Sequence, residues 1–532
     1  MKLSRILIAL LACLLAGSVL GQRLIVGTVA EASDLDPRTT YDVYSYQRMY
    51  PIMEPLIVLD TDLGYRPRLA HSWDFAEDGS QVTFYLREGV RFHHGREFTA
   101  DDVKYTFDWV LNPENPAANP GLYEDIELVE VVDPYTVTFH LTGENAFILN
   151  YIARLHIVPA DLGDDPSFGS APVGTGAFEF VSWSRDDRMI LKAFEEYWDG
   201  RAKVDEVEFR PITEDSTRLL AFEAGELDIY HGQVVPAEVP RLEGDDRFVV
   251  QRVTGLGHAY LGFNLRNEEL AKPEVRHAFS HLLPREAIVE RVYEGVGTVG
   301  TGPISPDTAF YNPDIPTYEY DPELARELLE QAGVEGLTLR LHTNENPVRM
   351  QIAEVLQFEA ANIGIDVEIH IEEFGAFIDR IMDTDTADFD IFILGWSGNV
   401  DPNYAMYELF HSAGGSNFIA YGNPDLDELL ETGRRLPPDS EESVAVYKEA
   451  QAILMADAPF AFINNTEEVG LNQSWISGWE IHPYTSATYQ DLHLIEKKLA
   501  GWRLTAPPST RPRQQTTKRT VLRDALGLRR TT

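Results

Sequence analysis

The sequence predicts an α/β fold, and three observations predict it. At 532 residues the chain is too long for one compact core, so two or three packed regions are expected. Between residues 336 and 396 the hydrophobic pattern switches repeatedly between strand and helix periods. Within that stretch one strand is apolar almost without a break, the pattern of a strand covered on both faces.

Taken in order, residues 23–27 (RLIVG) read as a short buried strand. Residues 81–92 (QVTFYLREGVRF) read as a hairpin-like strand pair broken at Glu88 and Gly89. Thr99 is placed to cap a following helix, with Asp101 and Asp102 in its first turn, where negative charge suits the helix dipole. Residues 337–343 read as a strand and 347–363 as a helix, with Val348, Ile352, Val355, Leu356, Ala360 and Ile363 on one face and Gly364 as the stop. Ile365, Val367, Ile369 and Ile371 then alternate with polar residues, a half-exposed strand. A short helix over 374–382 leads into the apolar strand 389–394. Strand, helix, strand, helix, strand makes an α/β lobe. Ligands bind beyond the carboxyl ends of such strands, so the loops 344–347 and 395–402 are expected to line one cleft.

Composition narrows the function. Hydrophobic residues make up 44% and charged residues 24%, ordinary for a soluble globular protein. Residues 1–21 combine basic Lys2 and Arg5, an apolar run and a small-residue exit, the signature of an export signal; the run is shorter than the roughly 20 residues a membrane span needs. Cys13 lies inside it, after a Leu-Leu-Ala that loosely resembles a lipoprotein cleavage box, yet too near the start for anchoring to be expected. Its removal would leave no cysteine for disulfides, thiolate catalysis or metal binding. The net charge is −42, and about −53 for residues 22–496 once the basic ends are set aside. A body so acidic repels nucleic acid and anionic lipid, and fits either a saline habitat or an acidic secreted protein. Residues 506–532 are polar, Pro-containing and basic, and are expected to form a mobile tail.

Catalytic and metal motifs are weak. G-x-S-x-G, H-E-x-x-H and the P-loop are all missing from the sequence. Residues 295–300 fit G-x-G-x-x-G but follow a helix-like segment, the reverse of a nucleotide-binding turn, and read as a helix stop and loop. His93 and His94 sit together in a Phe-x-x-Gly turn. His277 and His281 are spaced to clip a metal but lack a third ligand nearby.

Six landmarks in order resemble the extracellular solute-binding proteins of peptide and nickel ABC importers, family 5. They are residues 72–107 (SWDFAEDGSQVTFYLREGVRFHHGREFTADDVKYTF), 172–183 (PVGTGAFEFVSW), 195–200 (EEYWDG) with 222–229 (FEAGELDI), 263–289, 320–333 (YDPELARELLEQAG), and 395–403 (GWSGNVDPN) followed by SNFIAYGNPDLDELL. The resemblance spans roughly residues 24–500. It implies a two-lobed periplasmic-binding-protein-like fold with a hinge and an extra subdomain inserted in lobe I. By analogy lobe I would comprise 22–60, 172–256 and 465–505, the insert 61–171, and lobe II 257–464, with the hinge near 255–257 and 464–465.

The function implied is that of the substrate-binding component of an ABC importer. It is a periplasmic or extracellular monomer without catalysis, cofactor or metal, which captures a peptide-like solute and delivers it to permease subunits. An oligosaccharide cargo is the alternative, with nickel or a secreted hydrolase behind it. Peptide-binding relatives receive the ligand's amino terminus on an aspartate in the loop that begins Gly-Trp. Here that loop carries Trp396, Ser397, Gly398, Asn399 and Asp401, with Asn399 where the aspartate is expected. Arg349, after Asn346 and Pro347, lies close to the place of an arginine that meets the ligand carboxylate. Trp396, Tyr404 and Tyr421 could stack on sugar rings, and an asparagine suits a hydroxyl.

Overall fold

The alternating segment folds as its periodicity dictates. In the computed structural model, which describes residues 22–498 apart from 41, 77, 119, 144, 146, 233, 384–387, 399 and 437–439, it forms strand Thr338–Asn344, helix Pro347–Asn362, strand Asp366–Glu372, helix Phe374–Met382 and strand Ile391–Trp396. The export segment with Cys13, and the tail 506–532, lie outside the described residues. Asn346 caps the first helix by accepting from the Val348 and Arg349 amides. Ile352, Ala353, Leu356 and Ala360 face the core, each large aliphatic contributing about 1.5–3 kcal/mol of burial. Gly364, at φ +86°, then turns the chain where a Cβ would be strained. The three strands are parallel, with Thr338–Asn344 between the other two. Ile391–Trp396 is buried on both faces over its first four residues; Asp366–Glu372, at the edge, is largely exposed.

Two long strands, Phe248–Phe263 and Phe460–Gln473, pair antiparallel and carry the sheet from one lobe to the other. On the second-lobe side Phe248–Phe263 pairs with Ile391–Trp396. On the other side Phe460–Gln473 pairs with Ile229–His231, and the sheet continues through Arg23–Thr28, Glu206–Pro211, Arg188–Ala193 and Phe178–Ser184. Arg23–Thr28, the buried strand expected at the start, is parallel to both its neighbours. The long pair keeps register from Phe248 to Thr254, loses it, and resumes at His258 opposite Asn465. A slip of this kind bends and twists the ribbon locally.

Between Arg23–Thr28 and Phe178–Ser184 in sequence lies an antiparallel sheet of four strands, Ala70–Phe75, Gln81–Leu86, Thr136–Leu141 and Ile126–Asp133, covered by helix Ala100–Leu111. Gln81–Leu86 alternates buried and half-buried side chains, and Phe84 and Phe107 each meet Phe139 edge to face. This corrects the expected hairpin within 81–92. Gln81–Leu86 takes both its partners from elsewhere, and Arg91 makes only an isolated bridge to Glu97, because Gly89 turns the chain away at φ +74°. At the helix start Asp102 reaches back to accept from the Thr99 amide (3.0 Å), also pairs with Arg96, and is fully buried.

Candidate functional site

Where the lobes meet, a cavity of about 650 Å³ opens. Its first-lobe wall is the start of helix Val43–Met49 together with His231, Tyr484 and Thr485. The long strands supply its floor through Leu256, Gly257, Glu467 and Glu468, and the second lobe closes it with Val296, Trp396, Ser397 and Gly398. Gly398 is there because nothing larger fits: a Cβ on it would lie 1.6 Å from the Leu256 carbonyl oxygen, and one on Gly257 would lie 2.7 Å from the Trp396 oxygen. The Gly-Trp loop is thus pressed directly onto the slipped segment of the long strands. Gly295 and Gly297, both at positive φ, end the preceding helix and deliver Thr298–Val299 to pair with Asn464 and Asn465, so the glycine motif is a helix stop and loop beside the same segment.

Trp396 also lines a second cavity, of about 360 Å³, between the inserted subdomain and the second lobe, with Asp401, Tyr404 and Tyr151. The Trp396 and Tyr404 rings lie 5.8 Å apart. Contacts cross this boundary: the Tyr151 hydroxyl donates to Asp401 (2.9 Å), Arg434 pairs with Asp125 (3.1 Å), and Phe147 packs against Phe310 and Tyr447 of the second lobe. They hold the two sides of the molecule together.

The structure therefore gathers Trp396, Ser397 and Gly398 on the main cavity, and Asp401 and Tyr404 on the adjoining one. Asn399 lies outside the described residues. Asn346, Arg349 and Tyr421 line neither cavity. Asn346 is spent on its helix cap, and the loop 344–347 is filled by Arg349, whose guanidinium donates to Asn344 Oδ1 (2.7 Å). Burial lowers the Arg349 pKa. Tyr421 is buried in the second-lobe core and donates to Asp457 (2.6 Å).

Asp401 is itself an N-cap. The helices starting at Pro322, Pro347, Pro402 and Pro424 share one device, an Asp or Asn cap followed by proline in the first turn. Burial raises the Asp401 pKa to about 6, against the opposing pull of the Tyr151 hydroxyl and the Asn403 amide. For an acid whose folded pKa lies above its unfolded value, the stabilising contribution is present below the unfolded pKa and is lost as pH rises through the folded one. Asp401→Asn keeps a good cap without the charge. It is expected to raise the unfolding free energy by about 1–3 kcal/mol at pH 7 and to change little at pH 4. Urea titrations at the two pH values check this; a loss of stability at pH 7 would show that the ionised carboxylate supports the fold.

The histidines singled out in sequence are held by the chain itself. His93 Nε2 lies 2.9 Å from the Gly176 oxygen, and burial pulls its pKa down to about 4. His94 contacts Asp161 (3.1 Å). His277 and His281 each sit against a backbone carbonyl, of Ala456 and Glu319. Among the described residues no group of three His, Cys, Asp or Glu is arranged to hold a metal ion, and no helix is long and apolar enough to cross a membrane.

Sequence reasoning missed the first-lobe wall and the floor. Glu468, His231, Tyr484 and Thr485 belong to no motif, but the run Asn-Asn-Thr-Glu-Glu between the apolar runs of strand Phe460–Gln473 was a visible signal. A polar run in a central strand needs a reason, and here the strand floors a cavity.

Known proteins resolve the family. A family model described as bacterial extracellular solute-binding proteins, family 5 Middle, matches residues 64–418. The chain belongs to this family. It is 30% identical over 481 residues to the glutathione-binding protein GsiB of Pectobacterium atrosepticum, covering 87% of this chain and 92% of that protein. It is 28% identical to the dipeptide-binding protein of Escherichia coli, over 92% of this chain and 97% of that one. Among solved structures, the periplasmic binding protein DppA from Helicobacter pylori in complex with peptide STSA superposes with a TM-score of 0.77 at 29% identity, covering 90% of this chain and 98% of that one. The two-lobed family fold with its inserted subdomain is therefore the fold of this chain.

Proposed function

We propose that this chain is the exported, non-catalytic substrate-binding component of an ABC import system, which closes its lobes on a peptide-like solute and delivers it to permease subunits in the membrane. The observation that carries the reading is the 650 Å³ cavity walled by both lobes and floored by the strands that join them. Such a volume suits a small ligand, and a ligand touching both walls favours the closed arrangement over the open one by its extra contacts. The peptide class is supported by relatives named for dipeptides and glutathione and by the peptide complex among the solved neighbours. In this reading lobe I comprises 22–60, 172–256 and 465–505, the insert 61–171 and lobe II 257–464, and closure pivots where the long strands lose register.

The test is titration with short peptides and with oligosaccharides, followed by small-angle scattering and tryptophan fluorescence. Peptides are expected to shrink the radius of gyration and to shift emission through Trp396, and to be recovered intact. Closure on oligosaccharides alone would transfer the cargo to that class, to which the Trp396 and Tyr404 rings are suited. Recovery of cleaved peptide would overturn the non-catalytic reading.

A further inference from the structure

The charge on the cavity wall is one-sided. Among the described lining residues there are three carboxylates, Asp42, Glu467 and Glu468, and no lysine or arginine. Two of the three are committed to the protein. Asp42 caps helix Val43–Met49 by accepting from the Ser45 amide, and takes the hydroxyls of Ser33, Thr40 and Ser45 as well. Glu467 pairs with Arg252 (2.6 Å) and accepts from the Gly297 amide (3.1 Å).

Glu468 differs from both. It stands on the long strand opposite Val253, with its side chain 22% exposed where it faces the cavity. The neutral hydroxyl of Thr485 is the polar group beside it on the cavity wall. The nearest basic group, His231 Nε2, is 3.9 Å away, beyond hydrogen-bond reach, and burial beside Arg48 and Arg218 keeps that imidazole neutral, with a pKa pulled down to about 4. The His231 ring is buried and meets Trp479 and Tyr489 edge to face, packing that holds it off the carboxylate.

We propose that Glu468 is the residue of the cleft that binds a cation: its carboxylate receives an ammonium or guanidinium group of the captured solute. This rests on the solute-capture reading and names the chemistry that the cleft selects. A carboxylate mostly removed from water beside a neutral hydroxyl is poorly compensated, and burial raises its pKa to about 7. An incoming cation offsets that cost, so the ion pair strengthens when the ligand arrives. The aromatic residues Tyr44, Tyr484 and Trp396 line the same space, and aromatic rings favour a cation over an anion. An anionic group finds no basic partner among the described lining residues, so the cavity discriminates by charge as well as by shape. For a peptide ligand the free amino terminus is the group that every member of the class carries.

The test is equilibrium dialysis of the full chain and of Glu468→Gln, with retained ligand counted by mass spectrometry. The probes are a tripeptide library without lysine or arginine, the same library N-acetylated, spermidine and maltotriose. Glutamine keeps the shape and the Thr485 contact, and matched melting temperatures confirm that the variant is folded. The expected result is that acetylation weakens retention by the wild-type chain about 100-fold, that Glu468→Gln weakens retention of free-amine peptides by a similar factor, and that the acetylated library is held equally by both. Equal retention of free-amine peptides by both chains overturns the role of Glu468 and leaves peptide capture standing. Retention of spermidine but no peptide, lost in Glu468→Gln, upholds the cation site and removes the peptide reading. Retention of maltotriose alone, or of no probe, overturns both.

Discussion

Glu54→Ala is expected to destabilise the chain by about 3–5 kcal/mol, because it breaks a fully buried charge network and leaves the other members without compensation. Glu54 is 1% exposed. Its carboxylate accepts from the Thr175 hydroxyl (2.8 Å), the Tyr197 hydroxyl (2.8 Å) and the Trp198 indole N–H (3.0 Å), and the Arg68 guanidinium stands 3.5 Å away. Arg68 in turn pairs with Asp491 (2.9 Å). Three segments separate in sequence converge on one carboxylate, and they include two of the family landmarks, 172–183 and 195–200. Alanine would strand three donors and leave Arg68 with Asp491 and the Gln490 carbonyl alone. Guanidinium unfolding of Glu54→Ala measures the loss; a change below about 1 kcal/mol would mean that water takes over the donors at no cost. The consequence for function is indirect. The network ties the inserted subdomain to the first lobe, and that subdomain carries Tyr151 and Phe147 to the second.

The same contrast between local and distant partners decides what was legible in the sequence. The segment from Thr338 to Trp396 could be read almost to the residue, because each element there is defined by its own period and its own stop. Pairing between distant segments carries no such mark. Gln81–Leu86 looks like half of a hairpin with the residues that follow it, yet it pairs with Ala70–Phe75 and Thr136–Leu141, a choice that depends on which strands the whole subdomain brings alongside. Of the proposed site, the Gly-Trp loop was visible and its neighbours misled. Asn346 and Asp401 stand out as polar residues before proline, but that pattern builds a helix start, and the helices at Pro322 and Pro424 use it away from both cavities. Tyr421 stands out as an aromatic near the loop, but its hydroxyl is already satisfied by Asp457 inside the core. Glu468 carries no motif at all. It becomes a candidate only when the fold places it beside Thr485, from the chain beyond the strand, and His231, which is remote in sequence.

Gly398→Ala is expected to lower ligand retention about 100-fold while leaving the global melting temperature nearly unchanged. The Cβ it adds would stand 1.6 Å from the Leu256 oxygen and 2.2 Å from the Leu256 carbonyl carbon, both backbone atoms of the slipped segment between Thr254 and His258. A carbon and an oxygen need roughly 3 Å or more, and the strand is fixed by its pairing up to Thr254 and from His258 on, so the loop is the part expected to retreat, by more than 1 Å. Trp396 and Ser397 move with it, and a wall displaced by about 1 Å is enough to spoil a preorganised site. Few other buried groups depend on the loop, so the cost falls on binding and not on the core. Ser397→Ala, at an exposed position of the same loop, separates this steric effect from loss of a loop hydroxyl and is expected to change retention far less. Dialysis against the free-amine tripeptide library reads both variants. Wild-type retention by Gly398→Ala would show that the loop accommodates a methyl group without moving Trp396, and that the close approach of loop and strand is not what shapes the cleft.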